Sequence, residues 1–248
     1  MLRLGHIPYL NCEPFFAHLR GFDLRRLTPR ELGRAMAAET VEAGLLSLVD
    51  FLTLEEALTP LPFGIATPGP ARSVLLFSNR PLAELGGGVI GVTNETSTSV
   101  ELLKILLARR YEAVPRAWVG PDEPSDAVLL IGDEAIRVLN SGSHFAHLAD
   151  LGSEWAHWTG LPCVFARWAV RTSVPEAERL ALWRALNEAL DQGLSSLPVI
   201  ARRRRDTGWS EAEVLVYLRG FTYRLGAEEE KAIAEFMRLR GFLENGSC

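Results

Sequence analysis

The sequence has few cysteines and no long apolar segment, and both shortages narrow the class of protein. Cys12, Cys163 and Cys248 are its three cysteines, and they lie far apart among 248 residues. This excludes a disulfide framework and a cysteine-rich zinc site. The longest apolar stretches are about as long as a β-strand, which is too short to span a membrane. Because the N-terminus also lacks the apolar segment of a secretory signal, we expect a cytoplasmic protein without membrane contact.

Positive charge is scarce for a nucleic-acid-binding protein. The 26 lysines and arginines are outnumbered by 31 acidic residues, and the formal net charge is −5. Binding to nucleic acid favours a basic surface, so we expect no nucleic-acid partner. The densest basic run, Arg202 to Arg205, lies in a helical region and is predicted to form a solvated helix face.

The motifs of several enzyme classes are also missing. There is no GxxxxGK[ST] phosphate loop and no GxSxG nucleophile elbow. The five histidines show no metal-ligand spacing, so we expect no metal site. Neither Cys12 nor Cys163 lies in a Cys-His motif, which favours buried structural thiols over nucleophiles.

The sequence does contain an alternation of predicted strands and helices, which is typical of parallel α/β layers. Two such runs precede a helical C-terminal third. We therefore predict an α/β protein with a two-lobe, type II periplasmic-binding-protein-like fold, a ligand cleft between the lobes and a helical C-terminal tail.

Chain order suggests how the lobes divide the chain. The glycine-rich segment ending in Gly86–Gly88 is the clearest joint. We assign residues 1–85 and 172–248 to lobe one and residues 86–171 to lobe two. The tail helices are expected to cover lobe one, although their apolar stripes could also serve a homodimer.

Strand-to-helix junctions are the places where open α/β sheets bind ligands. At the first junction, Asn11 follows the first strand, close to Tyr9. Its amide can donate to a carboxylate or hydroxyl, although it could also be a simple helix cap. At the second, Ser73 opens a buried strand beside Arg72, which could pair with an anion; the alternative is a turn serine and a solvated arginine.

The third junction is the richest in hydroxyl groups, and its residues are Thr96, Ser97, Thr98 and Ser99. They precede a helix whose free N–H groups favour an anion, so this segment is a candidate carboxylate site. Thr98 and Glu101 could instead form an ordinary capping box. At the fourth junction, Asp133 could accept from a substrate hydroxyl or could cap its own helix.

The junction segments resemble, in order, one known family. They are HIPYLNCEP, IATPGPARSVLLFS, GVTNETSTSVELLKILL, LLIGDEA and DLGSEWAHWTGLPCVFARWAV. They are similar to the chorismate dehydratases of the futalosine pathway to menaquinone, from about residue 3 to residue 171. Gly160, in the TGLP segment, joins the substrate-binding candidates. Cys12 stands where the family commonly has serine or threonine, and Cys163 where it commonly has phenylalanine.

The resemblance implies that chorismate loses water and becomes 3-[(1-carboxyvinyl)oxy]benzoate, without a cofactor. No histidine base lies at a junction. One hypothesis is therefore that the enolpyruvyl carboxylate of the substrate takes the ring proton while Asn11 and Ser73 hold it. The alternatives are the sister 1,4-dihydroxy-6-naphthoate synthase family, against which the Tyr-Leu-Asn segment argues, and a non-catalytic protein that binds small carboxylates.

Overall fold

The computed structural model describes residues 1–142 and 144–245, so Cys248 lies outside the described residues. The strands are β1 (Arg3–His6), β2 (Asp23–Arg26), β3 (Ala43–Ser47), β4 (Leu58–Thr67), β5 (Val74–Ser78), β6 (Val89–Val92), β7 (Ala117–Val119), β8 (Ala127–Ile131), β9 (His147–Asp150), β10 (Cys163–Arg171) and β11 (Thr222–Arg224).

The α-helices begin and end as follows: α1 (Glu13–Phe16), α2 (Pro29–Ala37), α3 (Leu48–Thr53), α4 (Thr98–Ile105), α5 (Gly132–Ser141), α6 (Leu151–Thr159), α7 (Glu176–Ser195), α8 (Leu197–Arg203), α9 (Glu211–Arg219) and α10 (Ala227–Asn245). A π-helical turn, Leu106–Arg110, continues α4. One 3₁₀ turn, Leu10–Cys12, separates β1 from α1. No helix in the described ranges is long and apolar enough to cross a bilayer.

The strands form two mixed sheets. The first has six strands in the order β11-β4-β10-β3-β1-β2, and the second has five in the order β7-β6-β8-β5-β9. In the first sheet β2, β1 and β3 run parallel, whereas β10 is antiparallel to both β3 and β4. In the second, β7, β6 and β8 are parallel and β5 is antiparallel to β8 and β9. All five residues of β3 are buried, as expected of a parallel strand covered on both faces.

The predicted division of the chain assigned two strands to the wrong lobe. Strand β5 was placed in lobe one, but it pairs with β8 and β9 of the second sheet. Strand β10 was placed in lobe two, but it lies between β3 and β4 of the first sheet. The chain leaves the first sheet through the Pro- and Gly-containing segment 68–73, and Gly87 (φ 70°) serves a turn before β6.

Two predicted capping boxes set helix starts. Thr28 and Glu31 form one at α2, and Ser210 and Glu213 form another at α9, with the backbone and side-chain bonds present in both. In the tail, α7 packs against α1 so closely that a methyl group on Gly193 would overlap the backbone of Pro14. Helix α10 packs against β10 and also against α4, so the tail contacts both sheets' layers rather than the first alone.

Candidate active site

A cavity of about 580 Å³, including its mouth, lies between the two sheets. The first sheet and its connections contribute Ile7, Tyr9, Asn11, Cys12, Pro29, Leu45, Ser47, Ile65, Phe165, Ala166 and Phe221; the second sheet's side contributes Ser73, Val74, Thr96, Thr98, Ser99, Ile131 and Gly132. The mainly apolar lining with a few polar groups is typical of small-molecule sites. None of these described lining residues carries a charged side chain, so an anion here would be held by N–H and O–H dipoles.

The fold directs the N-terminal ends of helices at this cavity. Ser47 caps α3, Thr98 is the first residue of α4, and Gly132 is the first residue of α5. The N–H groups of Asp50, Ser99 and Gly132 at these starts already bond to side-chain or backbone oxygens, so the helix starts contribute mainly their partial positive charge. The cavity is therefore electrostatically favourable for carboxylates even without arginine or lysine.

Asn11 lies in the 3₁₀ turn between β1 and α1, and its side chain lines the cavity. It caps neither element, since Tyr9 is the cap of the turn and Cys12 the cap of α1, which removes the alternative of a simple helix cap. Its Oδ1 is 3.4 Å from Cys12 Sγ. Burial raises the pKa of the Cys12 thiol, which keeps this neighbour neutral.

Ser73 is buried in the cavity wall, and its hydroxyl lies 2.7 Å from the hydroxyl of Tyr217 on α9. Burial raises the pKa of Tyr217, so that hydroxyl keeps its proton. A neutral Tyr217 can donate to Ser73 Oγ, and the serine proton, which otherwise goes to the Ala71 carbonyl at 3.4 Å, can then turn to a ligand. The sequence missed Tyr217, whose helical spacing marks it only as a core residue.

Arg72, the neighbour of Ser73, is not brought to the cavity. Its side chain is exposed and lines a separate surface groove with Asp150 and Trp209. Its backbone adopts a left-handed conformation (φ 60°), and its N–H donates to Asp150 Oδ2 at 2.6 Å. Ser73 is buried and Arg72 is exposed, so these neighbouring side chains lie on opposite sides of the chain.

The hydroxyl-rich segment reaches the cavity with three of its members, Thr96, Thr98 and Ser99. Thr96 Oγ1 accepts from the backbone N–H of Ser99 at 3.2 Å, and Thr98 Oγ1 accepts from the backbone N–H of Val49 at 3.2 Å. The predicted Thr98–Glu101 capping box is therefore wrong. Ser97 instead lines the neighbouring surface groove.

Asp133 is buried beneath the cavity rather than in its wall. It is the second residue of α5, whose cap is Ile131, so it is not an N-cap. Its Oδ1 accepts from the backbone N–H of Leu10 at 3.0 Å, and its Oδ2 pairs with Arg204. We expected this carboxylate to accept from a substrate hydroxyl, but both of its oxygens already bond to groups of the protein.

The expectation that the arginine run forms a solvated helix face is wrong for Arg204. Arg202 and Arg203 are exposed, but only 13% of the Arg204 side chain is. Besides Asp133, it pairs with Glu13 at 2.9 Å and with Asp206 at 3.0 Å. Chain order could not reveal this, because the partners come from distant parts of the sequence.

Tyr9 spans the gap between the sheets, with its ring in the cavity wall and its hydroxyl bonded to Glu95. Burial and this bond raise the pKa of Tyr9, so it remains neutral. The ring packs on Gly132, where a Cβ atom would lie 2.8 Å from Tyr9 Cδ2. Gly132 also has a left-handed backbone (φ 59°), which favours glycine here on two grounds.

Gly160 does not reach the cavity. It is exposed and caps the C-terminus of α6 in the left-handed conformation (φ 70°). The TGLP segment is a helix-to-strand connection, in which Trp155 Nε1 donates to the Pro162 carbonyl at 3.0 Å. The described residues also contain no cluster of histidine, cysteine, aspartate and glutamate that could hold a metal ion.

The sequence missed Ser47, which lines the cavity, and its partner Asp50, which lines the adjoining surface grooves. Ser47 Oγ donates to Asp50 Oδ2 at 2.8 Å and accepts from the Asp50 backbone N–H at 3.1 Å. The Ser-x-x-Asp spacing is a helix-start signal. The signal is hidden because Ser47 lies inside the apolar run 43–49, which also fits a strand.

Solved structures of low sequence identity share the fold. A protein from Archaeoglobus fulgidus has a TM-score of 0.77 at 17% identity, with 100% of this chain and 98% of that chain covered. The periplasmic aliphatic sulphonate binding protein of Escherichia coli has a TM-score of 0.69 at 15% identity, with 98% and 87% covered. The predicted periplasmic-binding-protein-like fold class is therefore confirmed.

Sequence comparison identifies the family. A curated relative from Thermus thermophilus, named chorismate dehydratase, is 34% identical over 263 aligned positions, which cover 96% of this chain and 94% of the relative. The sequence model described as menaquinone biosynthesis matches residues 2–240, which is nearly the whole chain. The chain that forms this cavity therefore belongs to the menaquinone biosynthesis family.

Proposed function

We propose that the protein is a chorismate dehydratase, a lyase that converts chorismate to 3-[(1-carboxyvinyl)oxy]benzoate in menaquinone biosynthesis by the futalosine pathway. The observation that carries the proposal is the cavity, whose polar groups are amide, hydroxyl and thiol groups from both sheets. Such a site suits a small dicarboxylate with a hydroxyl group. The 34% identity to a chorismate dehydratase supports the same substrate.

The reaction needs positioning more than it needs a cofactor. The ring carbon that bears the ether also carries a hydrogen and is vinylogous to the ring carboxylate. Loss of that proton therefore gives a carbanion that is delocalised towards the carboxylate. Departure of the neighbouring hydroxyl then makes the ring aromatic, which provides the driving force. The protein must bind two carboxylates, hold the leaving hydroxyl and exclude water.

The cavity residues divide these tasks. Asn11 and Ser73 hold the enolpyruvyl carboxylate, which takes the ring proton, and Tyr217 orients the Ser73 hydroxyl from behind. The start of α4, with Thr96, Thr98 and Ser99, binds a carboxylate through N–H and O–H groups. The preorganised dipoles of these groups stabilise the charge that develops on the ring.

The test is incubation of the purified protein with chorismate, without added metal or cofactor, followed by liquid chromatography and mass spectrometry. We expect a product that is lighter by one water and has a benzoate ultraviolet spectrum. Asn11→Ala should lower kcat by about 100-fold with a smaller change in KM. Asn187→Ala, which removes a half-buried amide on α7 that does not line the cavity, is the matched control and should keep wild-type turnover.

The alternatives give other outcomes. Unchanged chorismate together with a raised melting temperature would indicate a protein that binds small carboxylates without catalysis. Unchanged chorismate without a thermal shift would favour the sister synthase reaction.

We also propose a cytoplasmic protein without a nucleic-acid partner, in line with its net charge of −5. Exposed apolar side chains on α10, Met237 and Phe242, are the surface on which a homodimer would form. Light scattering of the purified protein distinguishes the monomer from the dimer.

A further inference from the structure

Ser47 lines the cavity, and its hydroxyl bonds to the carboxylate of Asp50, which is half-buried and lines the adjoining surface grooves. Ser47 Oγ is 2.8 Å from Asp50 Oδ2 and 3.1 Å from the Asp50 backbone nitrogen. We propose that Asp50 and Ser47 form a proton relay that protonates the hydroxyl group leaving the substrate. This inference rests on the proposed dehydration of chorismate and assigns its acid, which the substrate-assisted scheme leaves open.

The hydrogen bonds of Ser47 allow its hydroxyl proton to take two orientations. A serine hydroxyl offers one proton and two acceptor sites. When Asp50 is ionised, the Ser47 proton points at Oδ2 and one acceptor site takes the Asp50 N–H, so only an acceptor faces the cavity. When Asp50 is protonated, its carboxyl donates to Ser47 Oγ and both acceptor sites are filled. The serine proton then turns towards the cavity, where it can be given to the substrate.

The surroundings of Asp50 raise its pKa above the ordinary aspartate value. Burial raises the pKa of the Asp50 carboxyl, and hydrogen bonds from Ser47 and Ser97, together with the charge of Arg30, oppose that rise. An anionic substrate in the cavity places negative charge beyond Ser47, which raises the pKa of Asp50 further. Substrate binding therefore loads the acid that the reaction consumes.

Other charged groups face Asp50 or its helix from each neighbouring element. Helix α2 contributes Arg30 and Arg34, helix α4 contributes Glu101 and Lys104, and strand β10 contributes Arg167, which lies over Phe51 and pairs with Glu230. Glu101 and Lys104 pair with each other at 2.9 Å. Of these charges, that of Arg30 opposes the rise in the pKa of Asp50.

With this relay, every bond and proton of the dehydration is accounted for. The ring C–H bond breaks, and its proton goes to the enolpyruvyl carboxylate. The C–O bond to the ring hydroxyl breaks, and its electron pair stays on oxygen. That oxygen takes the Ser47 proton and leaves as water, while Ser47 takes the proton of Asp50. After product release, the carboxyl proton of the product passes through solvent to Asp50, so no oxidant or other reactant is needed.

Tyr9 and Glu95 form a rival hydroxyl–carboxylate pair at the same cavity. The Tyr9 hydroxyl bridges the two sheets, and its pKa is raised by burial. Ser47 differs because the Asp50 backbone N–H fixes its oxygen within one helix start. Tyr9→Phe must therefore be measured beside the Ser47 and Asp50 variants.

The experiment is the pH profile of chorismate turnover, from about pH 5 to about pH 9, for the wild type, Asp50→Asn and Ser47→Ala. The wild-type kcat should fall as pH rises through the pKa of Asp50 in the substrate complex. Asp50→Asn keeps the shape of the side chain but cannot supply a proton. It should lower the acidic plateau of kcat by about 100-fold, abolish that pH limb and change KM by less than about threefold.

Controls separate a relay from a structural role. Glu101→Gln neutralises a carboxylate in the adjoining groove and should keep the wild-type profile. Ser47→Ala retains the carboxylate and should lose the same limb, so it carries the test if Asp50→Asn does not fold. Retention of the limb in folded Asp50→Asn or Ser47→Ala would overturn the relay, as would its loss in Tyr9→Phe alone. A wild-type protein that forms no product would refute the proposed function, and the relay with it.

Discussion

The carboxylate of Asp133 accepts a hydrogen bond from the backbone N–H of Leu10, with a nitrogen–oxygen distance of 3.0 Å. Asp133 lies on α5, which follows the second sheet, whereas Leu10 follows β1 of the first sheet. Leu10 directly precedes Asn11, and the other Asp133 oxygen pairs with Arg204. This carboxylate therefore ties the two sheets together at the residue next to the cavity amide.

Asp133→Asn should destabilise the fold and lower turnover together. The amide can still accept from Leu10, but it leaves the buried Arg204 guanidinium without its closest counter-charge. Breaking a buried ion pair costs about 3–5 kcal/mol, and the remaining Glu13 and Asp206 contacts should reduce this to about 2 kcal/mol. Denaturant unfolding measures the loss. Asp206→Asn, at a half-exposed partner, is the control and should cost less than about 1 kcal/mol; equal losses would contradict the assignment.

Gly132→Ala should impair binding as well as stability. Its backbone is left-handed, and the new Cβ would lie 2.8 Å from the Tyr9 ring, which must move out of the cavity wall. We expect KM for chorismate to rise about tenfold. Gly21→Ala is the matched control, because Gly21 has φ 85° but no atom within 4 Å of the added methyl group. Both variants should lose about 1–2 kcal/mol of stability from backbone strain, but Gly21→Ala should keep the wild-type KM.

The Ser73–Tyr217 contact should appear as a coupling energy. Each single variant, Ser73→Ala or Tyr217→Phe, leaves the other buried hydroxyl without its 2.7 Å partner and should cost about 1–3 kcal/mol of stability. The double variant should cost less than the sum by about 1 kcal/mol. Turnover should respond differently, because Ser73 lines the cavity and Tyr217 does not. A double variant with additive stability losses would show that the two hydroxyls do not bond in solution.

Local signals in the sequence were enough to find much of the site. Asn11, Ser73 and Thr98 follow or open strands, and the fold brings such junctions together at one side of each sheet. The helix starts at Thr28 and Ser210 followed equally from local spacing. These features depend on residues a few positions apart, which a sequence displays directly.

Features that depend on distant pairing could not be read in this way. The antiparallel insertion of β10 between β3 and β4 decides which lobe each strand joins, and chain order does not specify it. The burial of Arg204 depends on carboxylates far away in the chain. Arg72 and Gly160 were placed at the site by proximity to motif residues, yet a left-handed bend at Arg72 and the end of α6 at Gly160 leave them exposed to solvent.

His6 should make stability depend on pH in a predictable direction. Its ring stacks on Phe16 with centroids 4.2 Å apart, and its Nε2 is buried without a hydrogen-bond partner among the described residues. Burial lowers the pKa of His6, and the charges of Arg26 and Arg204 lower it further. The unfolded chain therefore binds a proton at a higher pH than the folded chain does. It follows that the free energy of unfolding should fall as pH decreases below about 6.5.

His6→Phe isolates this contribution, because a phenyl ring can keep the stacking on Phe16 but cannot take up a proton. Denaturant unfolding at about pH 7 and about pH 5.5 should show a smaller loss of stability in the variant than in the wild type. The comparison between the two pH values matters more than stability at either one, since the substitution also changes packing. An identical pH dependence in both proteins would mean that the folded state already accommodates the charged imidazolium. In that case the ring beside α1 would be open to water rather than buried against Phe16.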